Sequence, residues 1–254
     1  MGNSIKDIKF EFETASSNNE DLSCLYKKYC DDERTGVKNI IEKYKKKEEK
    51  LVLERERLKK MHEFENKYDN HEFICGIDEA GRGPLAGPVV AGAVILPKDC
   101  EILYLNDSKK LSAKKRDELY DEIMEKAVAT GVGIVSPARI DEINILQATY
   151  EAMRMAVGNL KVHPDILLND AVIIPELNIK QVSIIKGDAK SVSIAAASII
   201  AKVTRDRLMI EYDKILPEYN LAGNKGYGSA EHIEAIKKYG PSPIHRRTFI
   251  GHFV

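Results

Sequence analysis

Hydrophobic positions follow two different rules on either side of residue 70. From Gly36 to Asp69 they recur at helical spacing. Val37, Tyr44, Leu51 and Leu58 are seven apart, and Ile40, Ile41, Met61 and Tyr68 fall near the same face. Glu and Lys fill the positions between them at spacings that support a solvated helix. Lys47, Glu48 and Glu54 interrupt the stripe. The pattern predicts one long, mostly exposed helix that docks by a narrow face. An independent coiled-coil dimer is the weaker reading, because too many core positions carry charge. Upstream, Thr14–Asp21 reads as a turn or linker in which Ser17 or Asn19 caps the next helix.

From His71 onward, short apolar runs alternate with amphipathic ones. "EFICGID" and "PVVAGAVILP" are strand-like. A helix opening near Ser112 follows, with Leu119, Ile123 and Ala127 at the 3.6 period. Then come a strand at "GVGIVSP", a long amphipathic helix at 138–161, and strands at "DILLND" and "QVSIIKGD". A further helix begins at "SVSIAAASIIAK"; its first half is small and apolar on nearly every side, which implies burial against the sheet. An opening strand pair followed by alternating strands and helices predicts an α/β fold with a mixed central sheet flanked by helices. The expected organisation is a charged helical N-terminal extension, 1–70, and a catalytic domain, 71–254, that closes in a short helical segment and a basic tail.

Composition adds limits. The 254 residues are 43% hydrophobic and 31% charged, with a formal net charge of −1. A sizeable core is therefore available, and any polyanion binding must come from local patches. Cys24, Cys30, Cys75 and Cys100 form no C-x-x-C pair, and no His stands at zinc-finger spacing from them, so they read as free reduced thiols. No N-terminal stretch has the pattern of a signal peptide, and no run suits a bilayer span, so a cytoplasmic protein is expected.

The chemistry lies where the strands end. Asp78 and Glu79 follow "FICGI", Asp170 ends "DILLND", and Asp188 ends "QVSIIKGD". In an open α/β sheet the C-terminal edge of the strands is where ligand sites form. If the three strands are neighbours, four carboxylates converge, and they either hold protons or gather cations. An all-oxygen cluster suits hard ions such as Mg²⁺ or Mn²⁺. Two such ions about 3.5–4 Å apart clamp the attacking and leaving oxygens of a phosphodiester. The plainer reading makes each Asp a turn or cap residue, with Asp188 as cap of the following helix. Adjacent strand residues face opposite ways, so Asp78 and Glu79 share a site only if the strand ends or kinks there. Gly81 and Gly83 supply the freedom for a break, and Arg82 between them is placed to meet a phosphate. The glycines fit neither the dinucleotide fingerprint nor the phosphate loop of nucleotide-binding proteins.

"GIDEAGRGPLAGPVVAGAVIL", "LNDSKKLS", "IIKGDAKSVSIAAASIIAKVTRDRLM", "GYGSAEH" and "GPSPIHRRTF" resemble the successive motifs of bacterial ribonuclease HII, the type 2 ribonuclease H family. The likeness spans 73–254, and the N-terminal region is similar to the extension of some Gram-positive members. The resemblance implies an RNase H-like fold. It also implies an endonuclease, dependent on Mg²⁺ or Mn²⁺, that cuts the RNA strand of RNA–DNA hybrids, single ribonucleotides embedded in duplex DNA included. A 5′-phosphate and a 3′-hydroxyl are the implied ends. It carries the family's acidic cluster to Asp78, Glu79, Asp170 and Asp188, with two ions when substrate is bound. It carries the G-R-G backbone grip to Gly81, Arg82 and Gly83, and the tyrosine that stacks on the sugar beside an RNA–DNA junction to Tyr227. Without the resemblance, Tyr227 reads as an ordinary half-buried turn tyrosine. The sequence departs from the pattern in placing Ala171 after Asp170, where many members have Gly.

Local positive charge fits a polyanionic partner. Lys109, Lys110, Lys186, Lys190, Lys202, Arg205, Arg246 and Arg247 are candidates for a phosphate track, with a solvated helix face as the alternative for Lys202, Arg205 and Arg207. Ser191 and Ser193 either bond phosphate or cap the helix. His245 and His252 are poor candidates for metal ligands beside a complete carboxylate set. Two other readings remain: another two-metal nuclease of the same fold, or a hybrid-binding protein without catalysis. The first is disfavoured by G-R-G and the G-Y-G tyrosine, the second by the presence of all four acids. A monomer is expected, with 1–70 modulating binding and standing apart from the chemistry.

Overall fold

A computed structural model describes residues 3–18 and 20–252. The chain divides into two units, Met1–Arg57 and Leu58–Val254. In the first, helices α1 (Ile5–Ser17), α2 (Ser23–Tyr29) and the greater part of α3 (Thr35–Met61) enclose a small core. Phe12 sits at its centre, its ring 5.7, 6.3 and 5.2 Å from those of Tyr26, Tyr29 and Tyr44. Ser4 opens α1 through a reciprocal capping box with Asp7. The stretch read as a linker is corrected: Thr14–Ser17 is the last turn of α1, and the Ser17 hydroxyl donates back to the Glu13 carbonyl. Asn19, the other proposed cap, lies outside the described residues. The single long helix is also shorter than expected, stopping at Met61, with a separate turn, α4 (Glu63–Lys67), after His62.

The second unit is built on five strands: β1 (Ile74–Ala80), β2 (Val89–Ile95), β3 (Ala129–Val135), β4 (Ile166–Asp170) and β5 (Lys180–Ile184). Their order is β3-β2-β1-β4-β5, antiparallel through the first three and parallel for β1-β4 and β4-β5. The helices are α5 (Ala113–Lys126), α6 (Pro137–Gly158), α7 (Val192–Ile215), α8 (Leu221–Asn224), α9 (Ala230–Tyr239) and α10 (Arg247–Ile250). Alternate strand residues build two cores. Cys75, Ile77, Ala91 and Ala93 pack with Ala148, Ala152 and Ala156 of α6. Ile74, Ile166 and Leu168 pack on the other face with Ile194 of α7. The small first half of α7 allows very close contact. A Cβ on Gly76 would stand 2.0 Å from the Ser193 carbonyl carbon, and one on Gly92 2.4 Å from the Ala197 oxygen. That tight seat lays α7 along the strands that carry the acids.

Two details differ from the sequence reading. α6 is broken at Asn144 (φ 67°), whose side-chain oxygen accepts from the amides of Leu146 and Gln147 and so caps the second half. β1 also continues past the acid pair: Glu79 and Ala80 remain paired with Ala91 and Val90, so the strand does not break immediately after Glu79.

Candidate active site

β1, β4 and β5 are neighbours, as convergence requires. Asp78 and Asp170 lie two residues beyond Gly76 and Leu168, on the sheet face that α7 covers. Asp188 arrives differently from the expectation. It does not end a strand; β5 stops at Ile184, and Asp188 rides on a one-turn 3₁₀ segment, Gly187–Ala189, just before α7. Nor does it cap α7, a task Ser191 performs by accepting from the Ile194 amide. Oxygens of Asp78, Asp170 and Asp188 lie within 4.8 Å of one another. The turn is tied to the strand end, because the Gly187 amide donates to Asp170 Oδ1 at 2.7 Å.

Glu79 stands apart from this trio. The pleat directs it away from Asp78, and its carboxylate meets Arg82 Nη1 at 3.3 Å. Its charge still acts on Asp78. Burial, then the charges of Glu79 and Asp170, push Asp78 well above the usual carboxylate range, against hydrogen bonds from Ser198 and the Glu79 amide. Glu79 is raised by burial, with Arg82 opposing. Asp188 is raised by burial and by the charges of Asp107 and Asp170. A buried Asp78 crowded by half-buried acids, with oxygen as the donor element, fits a hard divalent cation.

Beside them opens a cleft of about 430 Å³, lined by Glu79, Gly81–Gly83, Ser108, Lys109, Ser198, Lys202 and Tyr227. The two glycines there are glycine for different reasons. Gly81 has φ +94°, and a Cβ on it would stand 2.1 Å from Arg205 Nε. Gly83 has no such backbone need, and nothing lies within 4 Å of where its Cβ would be. Arg82 and Lys109 are exposed, as is Lys186, whose backbone is left-handed (φ 58°). Tyr227 is 46% exposed and lines the cleft.

Several proposed phosphate contacts are corrected. Ser191 is wholly buried; besides capping α7, its hydroxyl donates to Glu65 Oε1 at 2.5 Å. Ser193 is also buried. Arg205 and Arg246 are the largest fully buried side chains. Arg205 donates to the carbonyls of Ala86, Pro88 and Lys225; Arg246 donates to those of Gly81, Arg82 and Gly87. They pin the glycine loop from below. Lys202 is half-buried and bonded to Asp206 at 2.7 Å. Two site residues escaped the sequence reading: Ser198, beside Asp78, and Ser108, whose hydroxyl lies 2.9 Å from that of Ser198. The available signal was a lone polar residue within the apolar run of α7.

Comparison with known proteins agrees with this architecture. The family model "Ribonuclease HII" matches residues 75–252, and "Ribonuclease HII N-terminal domain" matches 4–69. The chain belongs to the ribonuclease HII family. A ribonuclease HII of Lachnoclostridium phytofermentans is 67% identical over 223 residues, 88% of each chain. That of Acetivibrio thermocellus is 57% identical over 237 residues, 92% of this chain and 91% of the other. Among solved structures, the ribonuclease H2 of Pyrococcus horikoshii OT3 has a TM-score of 0.59 at 30% identity, covering 71% of this chain and 98% of that one. As a ribonuclease HII, the protein is a metal-dependent endonuclease acting on the RNA of RNA–DNA hybrids. Among the described residues, no helix is long and apolar enough to cross a membrane.

Proposed function

We propose that Asp78, Asp170 and Asp188 hold Mg²⁺ or Mn²⁺, with Glu79 as the fourth carboxylate, and that the substrates include single ribonucleotides in duplex DNA. The observation that carries this reading is the convergence of the three aspartates within 4.8 Å beside a cleft edged by Gly81–Gly83 and Tyr227. Ions held there would supply Lewis-acid stabilisation of the phosphate and an acidified water, and the ends expected are a 5′-phosphate and a 3′-hydroxyl.

The chain's own residues do the rest. Arg82, Lys109 and Lys186 contact phosphates, which makes binding salt-dependent. The open backbone at Gly83 admits the ribose closely enough to meet its 2′-OH, the group that separates RNA from DNA. Tyr227 lies against the deoxyribose that follows a junction. The enzyme acts as a monomer in the cytoplasm. In support, the cysteines are free, and β5, one of the two edge strands, is only five residues long and opens with Lys180, a poor template for a second copy.

The test is cleavage of duplex DNA carrying one ribonucleotide, with Mg²⁺, with Mn²⁺ and with a chelator. Asp78→Asn is expected to abolish cleavage while hybrid binding persists. Near-wild-type cleavage by that variant overturns the assignment.

A further inference from the structure

Behind Tyr227 lies a buried pair of histidines that the metal chemistry does not use. His232 and His245 are 0% and 2% exposed, and their Nε2 atoms are 3.0 Å apart. The backbone fixes which nitrogens carry hydrogen. The Ser242 amide donates to His245 Nδ1 at 3.0 Å, so Nδ1 is the acceptor and the hydrogen of neutral His245 is on Nε2. That hydrogen points to His232 Nε2, which must accept. The hydrogen of His232 is therefore on Nδ1, where it meets the Tyr227 carbonyl at 2.8 Å. The relay has one consistent direction, from Ser242 through both rings to Tyr227. Burial lowers both histidines, His245 to about 4, which keeps the pair neutral at pH 7.

The relay starts on a segment that also holds the other substrate element. His245 bridges to Ala86, and the Arg246 amide donates to the Leu85 carbonyl at 2.8 Å. The Arg246 guanidinium holds the carbonyls of Gly81 and Arg82. The neighbouring pair His245–Arg246 thus anchors both sides of the cleft, one residue towards Tyr227 and the other towards Gly81–Gly83. Among the described residues, the other donor to the Tyr227 carbonyl is the nearby Ser229 amide, a contact inside its own turn. The Gly226 carbonyl accepts from the Leu85 and Ala86 amides, and Arg205 joins Lys225 to Ala86 and Pro88, so the segment before Tyr227 is tied to the loop; His232 adds a tie at Tyr227 itself.

We propose that His232, fixed in its Nδ1–H tautomer by His245 and Ser242, is the positioning residue for Tyr227, and thereby sets the preference for an RNA–DNA junction over continuous RNA. This rests on the reading of Tyr227 as the residue beside the junction deoxyribose.

The experiment compares kcat/KM on a single-ribonucleotide duplex with that on a continuous RNA–DNA hybrid, for the full chain and three variants. Tyr227→Ala is expected to lower the junction-to-tract ratio. His232→Gln keeps a polar group near Nε2 but loses the donor to Tyr227; it should lower the ratio about fivefold, the worth of one hydrogen bond. His232→Asn places an amide N–H where Nδ1 stood and should keep the ratio, although both His232 variants lose thermal stability. If Tyr227→Ala leaves the ratio unchanged, the reading of Tyr227 falls and this inference with it. If Tyr227→Ala lowers the ratio while His232→Gln does not, or if His232→Asn loses as much as His232→Gln, the inference alone falls. Should the His232 variants fail to fold, a long-range ¹H–¹⁵N spectrum of the unmutated protein decides. Nδ1–H at His232 and Nε2–H at His245 support the relay, and the opposite tautomers overturn it.

Discussion

At Gly83 nothing in the protein explains the glycine. Its φ is ordinary and its Cβ position is open, whereas Gly81 needs both its left-handed φ and the space against Arg205. Gly83→Ala should therefore leave the melting temperature within about 1 °C, as an unstrained surface change does. It should cut turnover on hybrid by on the order of a hundredfold, since a misplacement of about 1 Å carries that cost. Gly81→Ala should fail first in folding. Thermal melts alongside single-turnover cleavage separate the two; an unstable but active Gly83→Ala would reverse the assignment. Ala171 presents the converse case. It is held at φ 55°, a region unfavourable to any residue with a Cβ, immediately after Asp170. Ala171→Gly should stabilise the protein by on the order of 0.5–1 kcal/mol, relief of strain outweighing the added freedom of the unfolded chain. Denaturant titration checks it, and a loss of stability would contradict the strain account. Asp78, Glu79 and Asp170 were legible as acids near strand ends because they sit where apolar runs stop; Asp188 was picked out by the same pattern, but the turn that carries it was not. The role of the buried arginines was not: charge in a sequence does not reveal that Arg205 and Arg246 each meet three backbone carbonyls.

Among the elements, the periodic ones were legible and the locally determined ones were not. Ser112 opening α5, and the apolar first half of α7, follow from spacing and caps. The turn carrying Asp188 and the break at Asn144 depend on single backbone angles and hydrogen bonds that no periodicity records. α1 carried a helical signal, Ile8, Phe12 and Ala15 on one face, diluted by the charges between them. The short α4 does more than its length suggests. Glu65 Oε1 accepts from the Ser191 hydroxyl and from the Ser193 amide at 3.0 Å, which places a carboxylate on the N-terminus of α7 just after Asp188. Glu65→Ala should cost about 1–2 kcal/mol, and Glu65→Gln less, because an acceptor remains. Equal losses would show that side-chain packing, not the cap, is what matters. The same contacts alter what truncation should do. Leu58, Met61, Phe64 and Tyr68 pack into the cores of the second unit. A chain beginning at Leu58 should fold and cleave. One beginning at His71 loses those contacts and Glu65, and should melt at least several degrees lower. Equal melting temperatures for the two would remove residues 58–70 from the structural core.

For the whole molecule, the acids and the histidine pair pull stability in opposite directions along the pH axis. Asp78, Glu79 and Asp188 are raised in the folded protein, so between their unfolded values near 4 and their higher folded values the native state binds more protons. Stability of the metal-free protein therefore falls as pH rises through that window. His232 and His245 are lowered from 6.5, so the native state binds fewer protons than the unfolded chain, and stability falls as pH drops below about 6.5. A divalent ion among the carboxylates displaces the bound protons and relieves the repulsion, so it should lift the neutral and alkaline limb and leave the acid limb in place. At a hundred times its dissociation constant the ion contributes about 2.7 kcal/mol, on the order of 5–10 °C in melting temperature for a unit of this size. Asp78→Asn removes one of the repelling charges. It should melt higher than the unmutated protein in chelator at pH 8 and respond little to Mg²⁺ or Mn²⁺. Thermal melts from pH 4 to 9, with chelator and with each ion, make the comparison. An ion that stabilises Asp78→Asn as much as the unmutated protein would bind elsewhere, and the carboxylate trio would lose its place as the metal centre.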